Sequence, residues 1–239
     1  MALLGNRLRL HYYDCTVLSM KVFALPGAIE ALLFDIDNTL YRNREYQQSQ
    51  VDLLVAKYAS VSGIGIDLAY RAVESAQAVR EGTRAGGKTS LGNAMATLGI
   101  DLTTNAEWRS ELFSPEEYLH FDPELLDCLS KLADRFTLGA VTNNTESIGK
   151  RTLRVLGVEN LFEAIVGLDT TYHSKPSPEP FVRALSDLEV VPKSSVSVGD
   201  RYGVDIEPAL GLGMGGILVA SITEVYGLPS YLESELGKS

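Results

Sequence analysis

Residues 31–40 read Ala31-Leu32-Leu33-Phe34-Asp35-Ile36-Asp37-Asn38-Thr39-Leu40, an apolar run that drives straight into two aspartates. Buried parallel strands take the form of short apolar runs such as Ala31–Phe34, and carboxylates do not belong inside them. At the carboxyl end of such a strand the conflict disappears, because open α/β sheets keep their ligand crevice there. Residues i and i+2 of a strand point the same way, so Asp35 and Asp37 are expected to share one site. Two carboxylates that close repel, and they need a cation, a shared proton or divided roles. The plain alternative is an Asx-type turn built from Asp37 and Asn38, and the rest of the chain decides between the two.

Outward from this run, four more apolar segments read as strands: Thr137–Val141, Ala164–Val166, Ser195–Val198 and Gly216–Ala220. Helical patterns lie between them. Pro123–Arg135 places Leu125, Leu126, Leu129 and Leu132 on one face, Glu146–Leu156 does the same with Ile148, Leu153 and Leu156, and Glu179–Leu188 and Val204–Leu212 supply two more. Strands alternating with helices predict an α/β fold with a doubly wound parallel sheet. The stretch between the first strand and Pro123 is far too long for a crossover. It is rich in Ala, Gln and Glu and helical in period over Val51–Val61 and Asp67–Val79, so an inserted helical domain is expected over 44–120. The core is then 20–43 and 121–239, closing on a short helix at Ser230–Leu236. Residues 1–19 are expected to form an N-terminal extension outside the fold, with Met20 just ahead of Lys21-Val22-Phe23.

With 21 Lys and Arg against 31 Asp and Glu, the 239-residue chain carries a formal charge of −10. That balance argues against nucleic-acid polymers and anionic membrane surfaces as partners. No apolar stretch approaches the roughly 20 residues of a membrane span. Cys15 and Cys128 stand far apart without ligand spacing, which reads as reduced thiols in a cytoplasmic protein without zinc.

Two motifs are set aside on mechanism. Gly82-Thr83-Arg84-Ala85-Gly86-Gly87-Lys88-Thr89 matches the phosphate-loop pattern, but it follows an alanine-rich amphipathic helix where the loop needs a buried strand. It reads as a glycine-rich turn of the insert, with Arg84, Lys88 and Thr89 reaching toward a substrate's far end. Gly211-Leu212-Gly213-Met214-Gly215-Gly216 satisfies the dinucleotide fingerprint in reverse order, ending a helix and opening a strand.

Each core strand ends in polar residues that can face one crevice. These are Asp35 and Asp37, then Thr142-Asn143-Asn144, then Ser174-Lys175-Pro176, then Gly199-Asp200 with Asp205 beyond. Each has a dull reading alone: a helix cap at Thr142 or Asn143, a solvated charge at Lys175, a dipole partner at Asp205. Together they fit phosphoryl transfer. Four carboxylates against Lys175 imply a hard cation with oxygen ligands, Mg²⁺ by preference. Lys175 and the hydroxyl and amide donors at Thr142–Asn143 would hold phosphoryl oxygens. One carboxylate can be the nucleophile and the other the acid and base.

These residues resemble the signature motifs of the haloacid dehalogenase-like (HAD) superfamily, in its phosphatase branch. Asp35-Ile36-Asp37-Asn38-Thr39 is similar to DxDxT, Thr142 to the motif threonine, Lys175-Pro176 to the motif lysine, and Gly199-Asp200 with Asp205 to GDxxxxD. The resemblance covers roughly residues 30–220 and implies a Rossmann-like core with strand order 5-4-1-2-3 and a helical cap of the C1 type. It implies Asp35 as nucleophile and Asp37 as general acid and base. Mg²⁺ would lie on Asp35, Asp200 and the backbone carbonyl of Asp37, with Asp205 as ligand or neighbour. Asp37 favours a phosphatase over a dehalogenase, whose leaving halide needs no proton. Asn38-Thr39-Leu40-Tyr41 resembles the pyrimidine 5′-nucleotidase-like branch, by one residue. The expected partner is a small phosphorylated metabolite, and the expected assembly, if any, a homodimer. A mutase or phosphotransferase on the same scaffold, a P-loop nucleotidase built on Lys88 and a non-catalytic binding module are the alternatives.

Overall fold

The computed structural model describes residues 20–78 and 90–237. The expected extension 1–19 and the Gly82–Thr89 turn lie outside the described residues. In chain order the elements are β1 (Lys21–Phe23), β2 (Ala31–Phe34), α1 (Arg44–Ser62), α2 (Ile66–Ala78), α3 (Leu91–Thr97), α4 (Leu102–Leu112), α5 (Pro123–Ala133), β3 (Thr137–Val141), α6 (Glu146–Leu156) and β4 (Ala164–Val166). There follow α7 (Leu168–Thr171), α8 (Glu179–Asp187), β5 (Ser195–Gly199), α9 (Glu207–Gly211), β6 (Gly215–Leu218), α10 (Ile222–Tyr226) and α11 (Leu228–Leu236).

The sheet runs β1-β6-β5-β2-β3-β4. Its parallel part, β6-β5-β2-β3-β4, is the expected order 5-4-1-2-3. The expected doubly wound parallel sheet gains a sixth strand at one edge, where β1 pairs antiparallel with β6, Val22 opposite Ile217. Three half-exposed residues carry no periodicity to read, so this strand exists through its pairing alone.

Side chains alternate across β2. Leu32 and Phe34 enter one apolar layer with Leu125, Leu129, Leu153 and Leu232, while Leu33 joins Val141, Phe181 and Leu185 on the opposite face. Helices therefore cover both faces, and all four β2 residues are buried. Gly139, paired with Leu33, has no side chain because a Cβ there would stand 2.7 Å from Leu33 Cδ2.

Helices α1 to α4 pack around a separate apolar cluster that includes Leu54, Val55, Val73, Met95, Trp108 and Phe113. The side chain of Asn43 caps α1 by accepting from Tyr46 N, and Gly63, at φ 65°, ends it in the left-handed conformation. This helical cap docks on the core through Ser110 Oγ to Thr145 Oγ1 (3.0 Å), and through Arg151, which bonds Glu116 at 2.7 Å and the carbonyl of Phe113 at 3.0 Å.

Candidate active site

Strand order places β2 between β3 and β5, so β2 ends at the point where successive connections leave in opposite directions. Asp35 extends the β2 ladder by one bond, its N–H donating to Val198 O at 2.9 Å. It is 4% exposed. Lys175, 1% exposed, donates from Nζ to Asp35 Oδ1 at 2.6 Å and to Val141 O at 2.6 Å, and it lies 2.8 Å from Asp205 Oδ1. Thr39 Oγ1 donates to the other oxygen of Asp35 at 3.0 Å. Lys175 is thus not a solvated charge but the buried counter-ion of two carboxylates. Burial works against its charge, yet Asp205 and Asp35 outweigh that and hold the ammonium above its ordinary value. Burial pushes the Asp35 carboxyl up to about 7 against the pull of Lys175.

Asp200 and Asp205 complete the crevice from the end of β5 and the single π-helical turn Tyr202–Ile206 that follows. The fixed points of Asp205 are Arg201 N, which donates to Oδ2 at 3.0 Å, and Ser197 Oγ, which donates to its carbonyl at 2.8 Å. Gly199 makes room for this carboxylate, because a Cβ there would lie 2.4 Å from Asp205 Cβ. Asp35, Asp200 and Asp205 each bring one oxygen within 4.8 Å of the others, the one such group of possible metal-holding side chains among the described residues. Asp200 Oδ1 is buried without a hydrogen bond, and burial raises its carboxyl. A set of carboxylate oxygens with one orphaned acceptor suits a hard divalent cation. Arg201, whose Nε lies 3.6 Å from Asp200, adds a second positive charge that the motif spacing does not announce.

Asp37 stands apart from this cluster. Its carboxylate accepts from Tyr41 Oη at 2.5 Å, Thr142 Oγ1 at 3.3 Å and Asn144 Nδ2 at 3.0 and 3.2 Å. The two aspartates of the opening motif therefore have different surroundings, one beside Lys175 and the other among neutral donors. Asn143 does not face this space with its side chain. Its side-chain amide pairs with the backbone of Lys175 in both directions, at 2.7 and 3.1 Å, which engages that group away from the phosphate-binding role expected at Thr142–Asn143. Only its main-chain N–H remains for that role, and the residue instead fixes the loop that carries Lys175. Nor do Thr142 and Asn143 cap the following helix; Thr145 does, accepting from Ile148 N. Asn38 adopts φ 68°, a conformation that favours Asn or Gly, so its identity follows from the turn and carries no information about substrate.

Sequence reasoning gave no separate role to Tyr41 and Asn144, and it missed Arg109. The last comes from α4 of the cap: its Nη1 donates to Asn144 Oδ1 and its Nε to Asn105 Oδ1 at 2.6 Å. Tyr41 follows Asp37 by one turn and had that spacing as a signal, whereas Arg109 had none.

A doubly wound sheet with a helical cap and a carboxylate crevice at its switch point defines a class of capped α/β hydrolases. The profile of the haloacid dehalogenase-like hydrolases matches residues 32–219, and the chain belongs to that family as one of its phosphatases. It is 33% identical over 180 residues to the pyrophosphatase PpaX of Bacillus pumilus, covering 74% of this chain and 76% of that one. It is 28% identical to a phosphoglycolate phosphatase of Aquifex aeolicus, covering 75% and 79%. Among solved structures, a HAD phosphatase of Thermococcus onnurineus superposes with a TM-score of 0.61 at 22% identity, covering 85% of this chain and 98% of the other, a likeness of fold. Among the described residues no helix is long and apolar enough to cross a membrane.

Proposed function

We propose that the protein hydrolyses a small phosphorylated metabolite through an aspartyl-phosphate on Asp35, with Mg²⁺ as cofactor. The observation that carries this reading is the division of surroundings between Asp35 and Asp37. Asp35, buried against Lys175 with Thr39 on its second oxygen, is oriented for attack on phosphorus. Its oxygen forms the new bond to phosphorus while the ester oxygen departs with the proton carried by Asp37. In the second half, Asp37 takes a proton from water, whose oxygen attacks phosphorus. Inorganic phosphate leaves and Asp35 is restored. Tyr41 and Asn144 hold Asp37 through both halves, aimed first at the leaving oxygen and then at the water, while the Thr142 hydroxyl turns from Asp37 to the phosphoryl oxygens.

Lys175, the hydroxyl of Thr142 and the main-chain N–H of Asn143 are the donors for phosphoryl oxygens. Asp35, Asp200 and the backbone carbonyl of Asp37 would hold Mg²⁺, with Asp205 as ligand or neighbour; when bound, the ion supplies positive charge beside the phosphoryl group. The names of the two curated relatives, a pyrophosphatase and a phosphoglycolate phosphatase, support small phosphates as substrates. The test is Asp35→Asn. Hydrolysis of nitrophenyl phosphate should fall by at least about a thousandfold while the fold is retained. Retention of wild-type turnover refutes the reading.

A further inference from the structure

The loops that build the crevice differ in how they are tied to the rest of the molecule. The turn after β2 is held by cap helix α1, where Gln47 donates to Asn38. The loop after β3 is held by Arg109 of α4, which donates to Asn144, and the loop carrying Lys175 by Asn93 of α3, which accepts from Ser174 at 3.2 Å. Among the described residues the turn after β5, with Asp200, Arg201 and Asp205, has no hydrogen bond or ion pair to the cap. Its backbone is fixed all the same. Arg201 N donates to Asp205 Oδ2 at 3.0 Å, and the Arg201 carbonyl accepts from Val204 N at 3.1 Å and from Asp205 N at 2.8 Å. The part of this turn left free to move is the Arg201 side chain.

That side chain stands beside the metal corner without bonding to it. Its Nε is 3.6 Å from Asp200 Oδ1, near enough to offset the charge and too far for a hydrogen bond, and that oxygen is buried without a donor. The Arg201 side chain is 43% exposed and that of Asp200 13%. The guanidinium also faces the charges of Asp205, Asp35 and Asp37, which keep it firmly protonated. In their ionised forms Asp35, Asp200 and Asp205 bring three negative charges to this corner, and Lys175 and Arg201 bring two positive ones. The corner is therefore short of one positive charge, and a divalent ion would leave it with one too many. Lys175 cannot yield, because it is buried and bonded to Asp35 and to Val141 O. Repulsion from the ion then acts on Arg201, which has solvent behind it.

We propose that Arg201 is a tethered counter-cation of the metal site, which neutralises Asp200 while no metal is bound and withdraws toward solvent when Mg²⁺ takes that carboxylate. Its charge sets how tightly the metal binds and couples metal to phosphate. A phosphate dianion offsets the excess positive charge of the metal-bound corner, so each ligand tightens the other by the same factor. The assignment rests on the reading that Asp200 holds Mg²⁺. Since the turn is not bonded to the described part of the cap, the exchange requires no break in those contacts.

The experiment is calorimetric titration of Mg²⁺ into the metal-free protein, with and without inorganic phosphate. Arg201→Gln should bind Mg²⁺ about five- to thirtyfold more tightly than wild type, the effect of removing one unit charge a few ångströms from a divalent ion in watery surroundings. Arg201→Lys should stay near wild type, and so should Arg183→Gln, which removes one charge from a surface pair with Asp187. Phosphate should tighten Mg²⁺ binding in wild type, and that factor should shrink at least about threefold in Arg201→Gln. Equal or weaker Mg²⁺ binding by Arg201→Gln overturns the proposal, and so does an undiminished phosphate factor. A matching gain in Arg201→Lys or Arg183→Gln overturns it too, because the charge at this position would not be the cause. If Arg201→Gln does not fold, Arg201→Met, which keeps the aliphatic stem, takes its place with the same outcomes. Asp200→Asn is titrated alongside. Wild-type Mg²⁺ binding there condemns the metal reading, whereas lost binding there with no gain in Arg201→Gln condemns the counter-cation alone.

Discussion

Asp35 and Asp37 are two residues apart, and their environments differ in the way the proposed division of chemistry requires. Asp35 is bound to a buried ammonium, which suits a nucleophile that must stay in place. Asp37 is surrounded by a phenol, a hydroxyl and an amide, a setting from which a proton can be given to an oxygen and taken back from water. The need for that proton depends on the leaving group. An alkoxide leaves badly without it, and nitrophenolate leaves well. Asp37→Asn should therefore reduce turnover of alkyl phosphates by about a hundredfold or more, and turnover of nitrophenyl phosphate by about tenfold or less. Parallel rate measurements on the two esters check this, and equal losses would remove Asp37 from the proton-transfer role. Both aspartates were legible in the sequence because burying a carboxylate beside an apolar strand is costly unless a ligand crevice receives it. The donors around Asp37 were legible only in part. Thr142 and Asn144 lie at the end of β3, on the strand next to β2, but nothing in their spacing says that Asn144 faces Asp37 while Asn143 faces Lys175.

At the scale of elements, the end of β5 shows how a site depends on what a backbone leaves out. Gly199 has φ/ψ open to other residues, yet no Cβ fits, because Asp205 Cβ would be 2.4 Å and its Oδ2 2.9 Å away. Gly199→Ala should therefore push the π-helical turn outward and shift Asp205 from Lys175. The fold should survive with a destabilisation of about 1–3 kcal/mol, the usual cost of overpacking, while phosphatase activity falls well beyond what that instability explains. Denaturant midpoints and kcat, measured together, check it; an active Gly199→Ala protein would show that Asp205 tolerates displacement. The elements themselves differ in legibility for physical reasons. Helices such as α5 and α6 bury a regular apolar stripe with a cap at each start, Asp122 and Thr145, so their sequences announce them. Helix α4 buries Asn105 and Arg109 together with Ala106 and Trp108, so its inward face is half polar and the apolar period fails. What makes that face polar is the site it closes, a contact 35 residues away in the chain.

The whole molecule holds its acidic cluster at a cost in stability that a bound cation would relieve. Three carboxylates share one corner with Lys175, and Asp200 Oδ1 has no hydrogen bond. Like charges so close destabilise the folded state, because unfolding lets them separate into water. Neutralising Asp200 should therefore help the metal-free protein and harm the metal-bound one. In a chelator, Asp200→Asn should melt at or above the wild-type temperature, by about 2–4 °C if roughly 1 kcal/mol of repulsion is relieved. In Mg²⁺ the order should reverse. Wild type gains about 2.7 kcal/mol at a hundred times its dissociation constant, and Asp200→Asn, lacking a ligand, gains little. The crossing of the two curves separates a metal site from a merely structural carboxylate, since a structural Asp200 would leave the variant less stable in both buffers. Calorimetric melts of both proteins with chelator and with Mg²⁺ read this directly. Equal stabilisation of the two by Mg²⁺ would place the ion elsewhere than on Asp200.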